Sequence, residues 1–328
     1  MKVAVYYNNN DVRLEEMPKP KISDGEILVK VISSGICGTD VMEWYRAKKG
    51  PRVLGHEISG EIVECSNVKN FKVHDRVFVT HHVPCGNCKY CSEGNHTACE
   101  TLHIGNFDPG GFSEYVRVPK INVDNGTFLL PGNVSYEEGT FIEPLACVVR
   151  AHRVINLKKH HKVLVLGSGV SGLLNVMHAK HIGAEVTATD IDSYKLKKAE
   201  EFGADKVINA ESDFKCKADK IIVCTGAMSA VEQAFGNIDR KGTVLLFAIP
   251  QEDIRLPNLD IWRNEITITS SYGAAPKDLQ ESLELIKSKK INVNGLITHR
   301  FSLKDIGKGF KLAEKPDNSL KVIIEPNK

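Results

Sequence analysis

The sequence predicts a two-domain α/β protein in which a doubly wound parallel sheet is inserted into a mostly β domain. Three observations support this fold class: a glycine-rich turn between a strand and a helix, alternating strand and helix patterns after it, and β-type runs in the first eighty residues. A chain of 328 residues is long enough for two cores. The predicted domains are residues 1–143, the inserted residues 144–274, and residues 275–328, which return to the first domain.

The glycine-rich turn is the most informative stretch of the inserted domain. Residues 162–166 are apolar and β-branched, as in a buried parallel strand, and residues 173–182 follow as a helix. Between them, Gly167, Gly169 and Gly172 have the spacing G-x-G-x-x-G. The first glycine permits a tight turn, the second lets the backbone approach a pyrophosphate, and the third lets the helix pack on the strand. The N-terminus of that helix offers free N–H groups to phosphate.

A second predicted strand, residues 185–189, ends at Asp190, which lies 18 residues after Gly172. A carboxylate at this place accepts the hydroxyls of a ribose. A glycine-rich loop alone is weak evidence, and an ordinary turn is the alternative. Because strand, helix, strand and terminal acid are all in register, the stretch predicts a dinucleotide site.

The inserted domain continues with the same alternation. Its candidate strands are residues 163–166, 186–189, 206–208, 220–224, 242–247 and 266–270. Six strands in βα alternation are what a doubly wound sheet requires. Two helices, 277–288 and 303–313, and a closing strand, 322–325, are assigned back to the first domain.

The first domain is predicted from short β-type runs between Pro, Gly, Asn and Asp. These candidate strands are residues 3–7, 26–33, 60–65, 76–80 and 110–118. After them, Ser135 is predicted to cap a helix with Glu137 and Glu138 in its first turn, and a further helix at 145–154 leads into the inserted domain.

Composition narrows the classes of partner. A net charge of +2 and a pI near 8.0 give no overall field that favours nucleic acid or a membrane surface. The first residues lack a signal-peptide layout, and no apolar run reaches membrane-spanning length. We therefore expect a cytoplasmic protein whose partner is a small molecule, with no nucleic acid and no membrane.

Cysteine spacing predicts a metal site. Four of the nine cysteines, Cys85, Cys88, Cys91 and Cys99, fall in one polar segment, residues 83–100, that has no core of its own. Four thiolates suit a closed, structural zinc site. An iron–sulfur cluster is the alternative, but the ferredoxin pattern places its fourth cysteine after three residues and before Pro, whereas here the gap is seven and Glu100 follows. The spacing favours zinc.

A second candidate metal set is dispersed along the chain and comprises Cys37, His56, Glu57 and Glu143. Thiolate, imidazole and carboxylate together make an open zinc site with room for water or substrate. Taken singly, each has a simpler explanation: a core cysteine, a hydrogen-bonded loop histidine, or a charge at a helix end. The spacing alone leaves both interpretations open.

Read together, several motifs resemble the zinc-dependent medium-chain dehydrogenase/reductase family, and most of all its polyol and threonine dehydrogenase branch. They are residues 35–40 (Gly-Ile-Cys-Gly-Thr-Asp), Gly55-His56-Glu57, Asp75-Arg76-Val77, the four-cysteine segment, Glu143-Pro144-Leu145 and the glycine-rich unit. Their order matches the family over nearly the whole chain. The resemblance implies a GroES-like catalytic domain carrying an inserted Rossmann domain, and an assembly of two or four identical chains.

The resemblance also implies roles for single residues. Cys37, His56 and Glu57 would bind a catalytic zinc, and Glu143 would be a further ligand or would hold the zinc-bound water. Thr39, with Glu57, would be catalytic, since Thr39 is placed like the hydroxyl that passes the substrate proton on. Zinc lowers the pKa of a bound alcohol from about 16 towards 7.

For the cofactor, the resemblance implies that nicotinamide dinucleotide receives the hydride. Because Asp190 would clash with a 2′-phosphate, NAD is favoured over NADP. The remaining contacts implied are backbone at Val170 and Ser171 for the pyrophosphate, Lys195 near the adenosine ribose, and Ala248, Ile249 and Ser271, flanked by Phe247 and Tyr272, for the nicotinamide.

Departures from the family pattern leave the substrate open. Many relatives carry a relay histidine where this chain has Met42, and the position of a substrate-binding arginine in sorbitol dehydrogenases is Gly273 here. Polar substrate contacts could instead come from Glu43, Trp44, Arg46 and Arg117. The prediction is a zinc-dependent secondary-alcohol or polyol dehydrogenase with two zincs and NAD. The alternatives are activity like that of L-threonine 3-dehydrogenase, a non-catalytic NAD- and zinc-binding protein, or a zinc-free quinone reductase relative, which the cysteine segment disfavours.

Overall fold

The fold was analysed in a computed structural model that describes residues 1–46, 48, 50–316 and 318–328. Its α-helices are α1 (Glu43–Arg46), α2 (Lys89–Ser92), α3 (Glu100–Ile104), α4 (Lys120–Gly126), α5 (Tyr136–Gly139), α6 (Ile142–Val154), α7 (Val170–Ile182), α8 (Ser193–Glu201), α9 (Met228–Asn237), α10 (Asn258–Asn264), α11 (Pro276–Lys287) and α12 (Ile306–Glu314). Among these described helices, none is both long and apolar enough to cross a bilayer.

The strands alternate with these helices only in the middle of the chain. They are β1 (Lys2–Asn8), β2 (Asp11–Glu16), β3 (Ile27–Gly35), β4 (Arg52–Val53), β5 (Glu57–Cys65), β6 (Arg76–Thr80), β7 (Tyr115–Val118), β8 (Thr127–Leu129), β9 (Lys162–Leu166), β10 (Glu185–Asp190), β11 (Lys206–Asn209), β12 (Ala218–Val223), β13 (Ile238–Leu246), β14 (Thr267–Ser270), β15 (Ile297–Ser302) and β16 (Lys321–Glu325). The chain forms two compact units, residues 1–146 with 274–328, and residues 147–273.

The first unit is built on antiparallel sheets. A seven-stranded sheet has the order β15-β16-β3-β5-β6-β8, with β7 also paired to β3, and a three-stranded sheet has the order β2-β1-β4. The side chains of Ile27, Val29 and Val31 alternate along β3 and are fully buried, which is the period expected of a strand with one face in a core. This unit therefore has its own hydrophobic core.

The second unit is a doubly wound parallel sheet. Its six strands have the order β11-β10-β9-β12-β13-β14, with β9 at the centre. In register, Val165 of β9 lies between Ala188 of β10 and Ile222 of β12. The chain order reverses on either side of β9, which is the switch point at which such sheets bind ligands. The predicted fold class is confirmed.

Several details of the strand predictions were wrong. The predicted strand 110–118 is regular only over β7, because Gly110 and Gly111 pass against Leu54 and Gly55 and Ser113 donates its hydroxyl to the Gly110 carbonyl. Strand β5 begins three residues earlier than predicted, and β13 four residues earlier. Four strands were not predicted: β4 and β8, which are only two and three residues long, and β2 and β15, whose side chains are half-exposed and mostly polar.

A buried polar chain joins α6 to α7 within the second unit. His152 Nε2 lies 2.9 Å from Asn175 Oδ1, and His178 Nδ1 lies 2.8 Å from His152 Nδ1. Asn175 Nδ2 in turn donates to the carbonyl of Ser171 in the first turn of α7. Since an amide oxygen only accepts, His152 Nε2 donates to Asn175. Burial lowers the pKa of both rings, which keeps them neutral, so His178 donates through Nδ1 to His152 Nδ1.

Candidate metal centres and dinucleotide site

Three predicted ligands converge where β3 ends and β5 begins. Gly35, the last residue of β3, pairs with Glu57, the first residue of β5, and this register brings Cys37 beside His56 and Glu57. The ligand atoms of these three residues all lie within 4.8 Å of one another. A Cβ atom on Gly35 would lie 2.3 Å from Glu57 Oε2, so only glycine leaves room for the carboxylate. Sulfur, nitrogen and oxygen donors at this spacing fit one zinc ion.

Asp40 contacts two of these predicted ligands, Cys37 and His56. Its Oδ2 accepts the backbone N–H of Cys37 at 3.0 Å, and its Oδ1 lies 3.4 Å from His56 Nδ1. Burial raises the pKa of the Asp40 carboxyl, but His56, Arg46 and the Cys37 N–H outweigh burial and hold the pKa below its usual value. Because His56 turns Nδ1 to a carboxylate, its Nε2 is left for a metal.

Glu57 forms a buried ion pair with Lys321 of β16, through its Oε2. Both side chains are almost completely buried, and the lysine ammonium also lies 5.6 Å from the centre of the Phe141 ring. The second carboxylate oxygen of Glu57 remains for a metal. Lys321 was not predicted as part of this site, because the sequence does not show which residue a lysine in the closing strand contacts.

Thr39 and Glu143 have different places. The Thr39 hydroxyl donates to Cys37 Sγ at 3.3 Å and accepts from Arg46 Nη2 at 3.0 Å. Glu143 is buried near the start of α6, but its carboxylate is not part of the set of ligand atoms within 4.8 Å. The structure therefore brings together three of the four residues that were predicted to surround this metal.

Two of the side chains that were predicted to contact a polar substrate have partners within the first unit. The Glu43 carboxylate accepts the backbone N–H of Asn9 at 3.0 Å, and Arg117 pairs with Glu26 at 2.9 Å. Trp44 is exposed on α1. These contacts stabilise the first unit without any ligand.

Two histidines after β6 were not singled out from the sequence. The His81 ring lies 4.8 Å from the His56 ring and 3.7 Å from the His82 ring, centre to centre. Burial, together with the neighbouring His82 and His56, lowers the pKa of His81 well below its usual value. The sequence feature that could have identified them is the pair of adjacent histidines between a predicted strand and the cysteine segment.

The four cysteines of residues 83–100 form a second cluster of ligand atoms within 4.8 Å of one another. Cys88 Sγ lies 3.6 Å from Cys91 Sγ, and Cys85 Sγ lies 4.0 Å from Cys91 Sγ. Tetrahedral zinc with bonds of about 2.3 Å places its sulfurs about 3.8 Å apart, so the cluster fits zinc. Burial raises the pKa of the Cys99 thiol, but backbone N–H groups, the first from Cys85, outweigh it and lower the pKa to about 6.

The glycine-rich turn has the geometry that a dinucleotide needs. A Cβ on Gly172 would lie 1.9 Å from the Gly167 carbonyl oxygen, so this glycine permits the contact between α7 and the turn. Gly167 has φ +94°, which favours glycine, and the space beside Gly169 is open. Val170 and Ser171 begin α7 with free backbone N–H groups. The turn thus leaves room for phosphate at its second glycine.

Asp190 closes this turn from the end of β10. Its Oδ2 accepts the Ser168 N–H at 2.7 Å, and its Oδ1 accepts the Asp192 N–H at 3.0 Å. Each carboxylate oxygen keeps a lone pair for a ribose hydroxyl. Lys195, on α8, lies 3.7 Å from the Asp192 carboxylate, which holds its ammonium near the same loop.

The remaining predicted cofactor contacts follow the ends of parallel strands. Ala248 and Ile249 lie two and three residues after the end of β13, and Ser271 comes directly after β14. Carboxyl ends of parallel strands lie at one edge of a sheet, which is the edge that holds the glycine-rich turn. The Ser271 hydroxyl is buried and has no hydrogen-bond partner among the described residues, so a ligand at this edge could supply one.

The candidate zinc ligands and the folds of the two units together indicate a zinc-dependent oxidoreductase. Residues 23–125 match the alcohol dehydrogenase GroES-like domain family, and residues 171–288 match the zinc-binding dehydrogenase family. The sorbitol dehydrogenase of Bacillus subtilis (strain 168) is 31% identical over 100% of this chain and 98% of its own length. The chain belongs to the zinc-dependent medium-chain dehydrogenases, in the branch that contains the polyol dehydrogenases.

Solved structures agree with this assignment. Galactitol-1-phosphate dehydrogenase of Escherichia coli superposes with a TM-score of 0.86 at 29% identity, covering 99% of this chain and 100% of that one. A protein of Sinorhizobium meliloti 1021 described as a zinc-binding dehydrogenase and bound to NADP has a TM-score of 0.87 at 28% identity, covering 99% of both chains. The likeness therefore covers both units and the segments that form all three candidate sites.

Proposed function

We propose that this protein transfers hydride between a secondary alcohol or polyol and NAD, at a zinc held by Cys37, His56 and Glu57. The observation that carries the proposal is the convergence of these three donors within 4.8 Å. A second zinc, held by the four cysteines, is proposed to order residues 83–100. The first unit thus supplies the metal chemistry, and the second unit supplies the dinucleotide site.

Each protein group has a defined part in this reaction. When bound, zinc supplies a Lewis acid that acidifies an alcohol, and the nicotinamide supplies the hydride acceptor. Thr39 is proposed to relay the alcohol proton, accepting it on its hydroxyl oxygen while its own hydroxyl proton passes to water, because this hydroxyl lies beside Cys37 Sγ. Glu143, a buried carboxylate, is proposed to hold water near the metal or to become a further ligand.

NAD is preferred to NADP in this proposal because Asp190 occupies the place of a 2′-phosphate. Its carboxylate is fixed by two backbone N–H groups, so it cannot swing away without losing both. We expect Asp190→Ala to weaken NAD binding about tenfold or more, the value of a charge-assisted hydrogen bond, and to raise the ratio of NADP to NAD use. Unchanged NAD affinity would contradict this role.

The substrate class rests on the relatives named above, which act on sorbitol and galactitol 1-phosphate. We propose a polyol or a simple secondary alcohol, with L-threonine as the alternative. The described residues next to the ligands include His81, whose Nδ1 is buried without a hydrogen-bond partner in the described part of the chain, and this polar ring suits a hydroxyl group better than an apolar chain.

For location and assembly, we propose a cytoplasmic dimer or tetramer of identical chains. All nine cysteines lie in the described part of the chain and are reduced. Strand β14 ends the sheet order of the second unit, and the adjacent α10 exposes Leu259 and Trp262. An open edge beside exposed apolar side chains suits pairing with a second copy.

The experiment that tests the function is a panel of polyols, secondary alcohols and L-threonine assayed with NAD and with NADP. We expect NADH formation from at least one polyol. His56→Ala should abolish turnover while NADH binding stays nearly intact, and His74→Ala, an exposed histidine paired with Glu61, should leave turnover unchanged. Turnover that persists in His56→Ala would contradict the zinc mechanism.

A further inference from the structure

Arg46, the last residue of α1, makes three polar contacts with the segment that follows Cys37. Its Nε donates to the Thr39 carbonyl at 2.8 Å, and its Nη2 donates to the Thr39 hydroxyl at 3.0 Å. The same Nη2 lies 3.5 Å from Asp40 Oδ1, and the side chain is only 15% exposed. The half-buried guanidinium therefore contacts both Thr39 and Asp40, the two residues that in turn contact the predicted metal ligands.

Those two residues each touch predicted ligands. Thr39 donates to Cys37 Sγ, while Asp40 accepts from the Cys37 backbone and faces His56. Any movement of the Asp40 carboxylate would release the His56 ring from its orientation. Arg46 is thus one contact away from two of the three donors, through both of the side chains that orient them.

Charge makes this contact necessary. Asp40 is completely buried, and a buried carboxylate without a partner is strongly unfavourable. The Arg46 guanidinium lies 3.5 Å from Asp40 Oδ1 and is always charged, so it is a permanent positive partner of this carboxylate. Its planar fork meets the Thr39 carbonyl and hydroxyl together, which the single ammonium of a lysine does not reproduce.

The hydroxyl of Thr39 is also directed by this contact. A guanidinium only donates, so the Thr39 oxygen must accept from Arg46, and its own proton is turned towards Cys37 Sγ. Met42, at the place of the relay histidine, can neither give nor take a proton. Thr39 therefore depends on Arg46 for its orientation.

We infer that Arg46 is a positioning residue of the catalytic metal centre, which holds Thr39 and Asp40 and through them the zinc-binding geometry of Cys37 and His56. The inference rests on the proposed function, since it assumes that these residues bind zinc. It excludes the simpler role in which Arg46 only anchors α1 to the unit.

The test compares Arg46→Met and Arg46→Lys with the unaltered protein in two measurements that do not depend on turnover. The first is the affinity for zinc, measured by equilibrium competition with a chelator. The second is the visible spectrum after zinc at the Cys37 site is replaced by Co²⁺, because cobalt–thiolate bands report ligand geometry. Arg300→Met is the matched control, since Arg300 also uses its Nε and Nη2 together in the first unit, on the Glu137 carboxylate.

We expect Arg46→Met to lose affinity for the catalytic metal about 10- to 100-fold, as for other residues that orient ligands. Its cobalt spectrum should shift, and its kcat should fall with NADH affinity unchanged. Arg46→Lys, which keeps the charge without the fork, should be intermediate, and it serves as the test if Arg46→Met does not fold. Arg300→Met should match the unaltered protein.

Metal retention and a cobalt spectrum in both Arg46 variants that match the unaltered protein would overturn the inference. That result differs from failure of the proposed function, in which the unaltered protein itself binds only one metal and reduces no NAD.

Discussion

Lys321 and Glu57, 264 positions apart in the chain, form a buried ion pair that joins β16 to β5 beside the predicted catalytic metal. The lysine takes one carboxylate oxygen of a residue whose other oxygen is left for zinc. Strand β16 thereby contributes a side chain to the predicted metal centre as well as completing a sheet.

The first prediction follows from this pair. Lys321→Met leaves the Glu57 carboxylate buried without its partner, so we expect the metal-free protein to lose about 3–5 kcal/mol of unfolding free energy. Zinc should restore part of this loss because the metal then balances Glu57. Denaturant unfolding with and without zinc measures both, and Lys19→Met, in an exposed pair with Glu64, is the control. Equal stability of the two variants would contradict the account.

The four-cysteine segment is predicted to depend on its metal. Its buried cluster contains Cys91, Cys99 and Leu102, which is too small to fold alone. We expect Cys99→Ser to reduce zinc from about two to about one per chain and to make residues 83–100 the first site of proteolysis. Cys65→Ser, which alters a half-buried cysteine packed on another core, should change neither. Full zinc content in Cys99→Ser would refute a closed site.

Replacement by alanine should have different effects at two glycines of the dinucleotide turn: weaker NADH binding at Gly169 and lower stability at Gly172. Gly169 has φ −67°, which alanine also adopts, and open space at its Cβ position. We expect Gly169→Ala to fold normally and to bind NADH about tenfold more weakly or worse, since one obstructing methyl group costs about 1–3 kcal/mol. NADH fluorescence titration measures this, and unchanged affinity would place the pyrophosphate elsewhere.

Gly172→Ala is the counterpart. Its methyl group would lie 1.9 Å from the Gly167 carbonyl oxygen, so the turn and α7 must move apart. We expect a loss of about 1–3 kcal/mol in stability, as for other overpacked sites. A thermal melt of both variants separates the two effects, and a Gly172→Ala protein as stable as Gly169→Ala would show that the third glycine is not needed for packing.

The buried histidine pair of the second unit predicts acid lability. Burial lowers the pKa of His152 to about 4, and burial, with His152, His181 and Arg153 nearby, lowers the pKa of His178 to about 2. Unfolding restores both to about 6.5, so below that pH the unfolded chain binds protons that the folded chain does not. Stability is complete above pH 6.5 and falls as the pH drops towards these values, by up to about 1.4 kcal/mol per pH unit for each ring.

The matching variant is His178→Asn, whose amide can replace the Nδ1 donor but does not titrate. We expect its unfolding free energy to fall less steeply between pH 7 and pH 5 than that of the unaltered protein, with exposed His160→Asn as control. Protonation of the metal-binding cysteines affects all three proteins alike, so only the difference in slope is informative. Parallel curves would show that the pair does not stay neutral.

Much of the fold could be predicted because its signals are local. The β9-turn-α7-β10 unit is encoded within thirty residues by apolar runs, glycine spacing and Asp190, and the cysteine segment by spacing alone. Strands β2 and β15 escaped detection since half-exposed polar side chains erase the period of two. Local pattern therefore predicts elements with a buried face better than those at a surface.

The surroundings of the catalytic metal could be predicted only in part. Cys37, His56 and Glu57 were recognised through family motifs, because sequence spacing does not reveal that β3 and β5 pair in a register that joins them. Lys321 and His81 were missed, since each reaches the site through the tertiary structure from a remote strand or the next loop. These contacts depend on long-range pairing, which a single sequence does not display.

The most direct measurement is a zinc reconstitution in which NADH formation from a polyol is followed as metal is added to metal-free protein. We predict no turnover without metal, and activity that appears as the chain fills to about two zinc ions. Cys37→Ser, which should keep about one zinc in the cysteine segment, should bind NADH but form none from the polyol. Turnover in the metal-free protein, or in Cys37→Ser, would contradict zinc-dependent dehydrogenation.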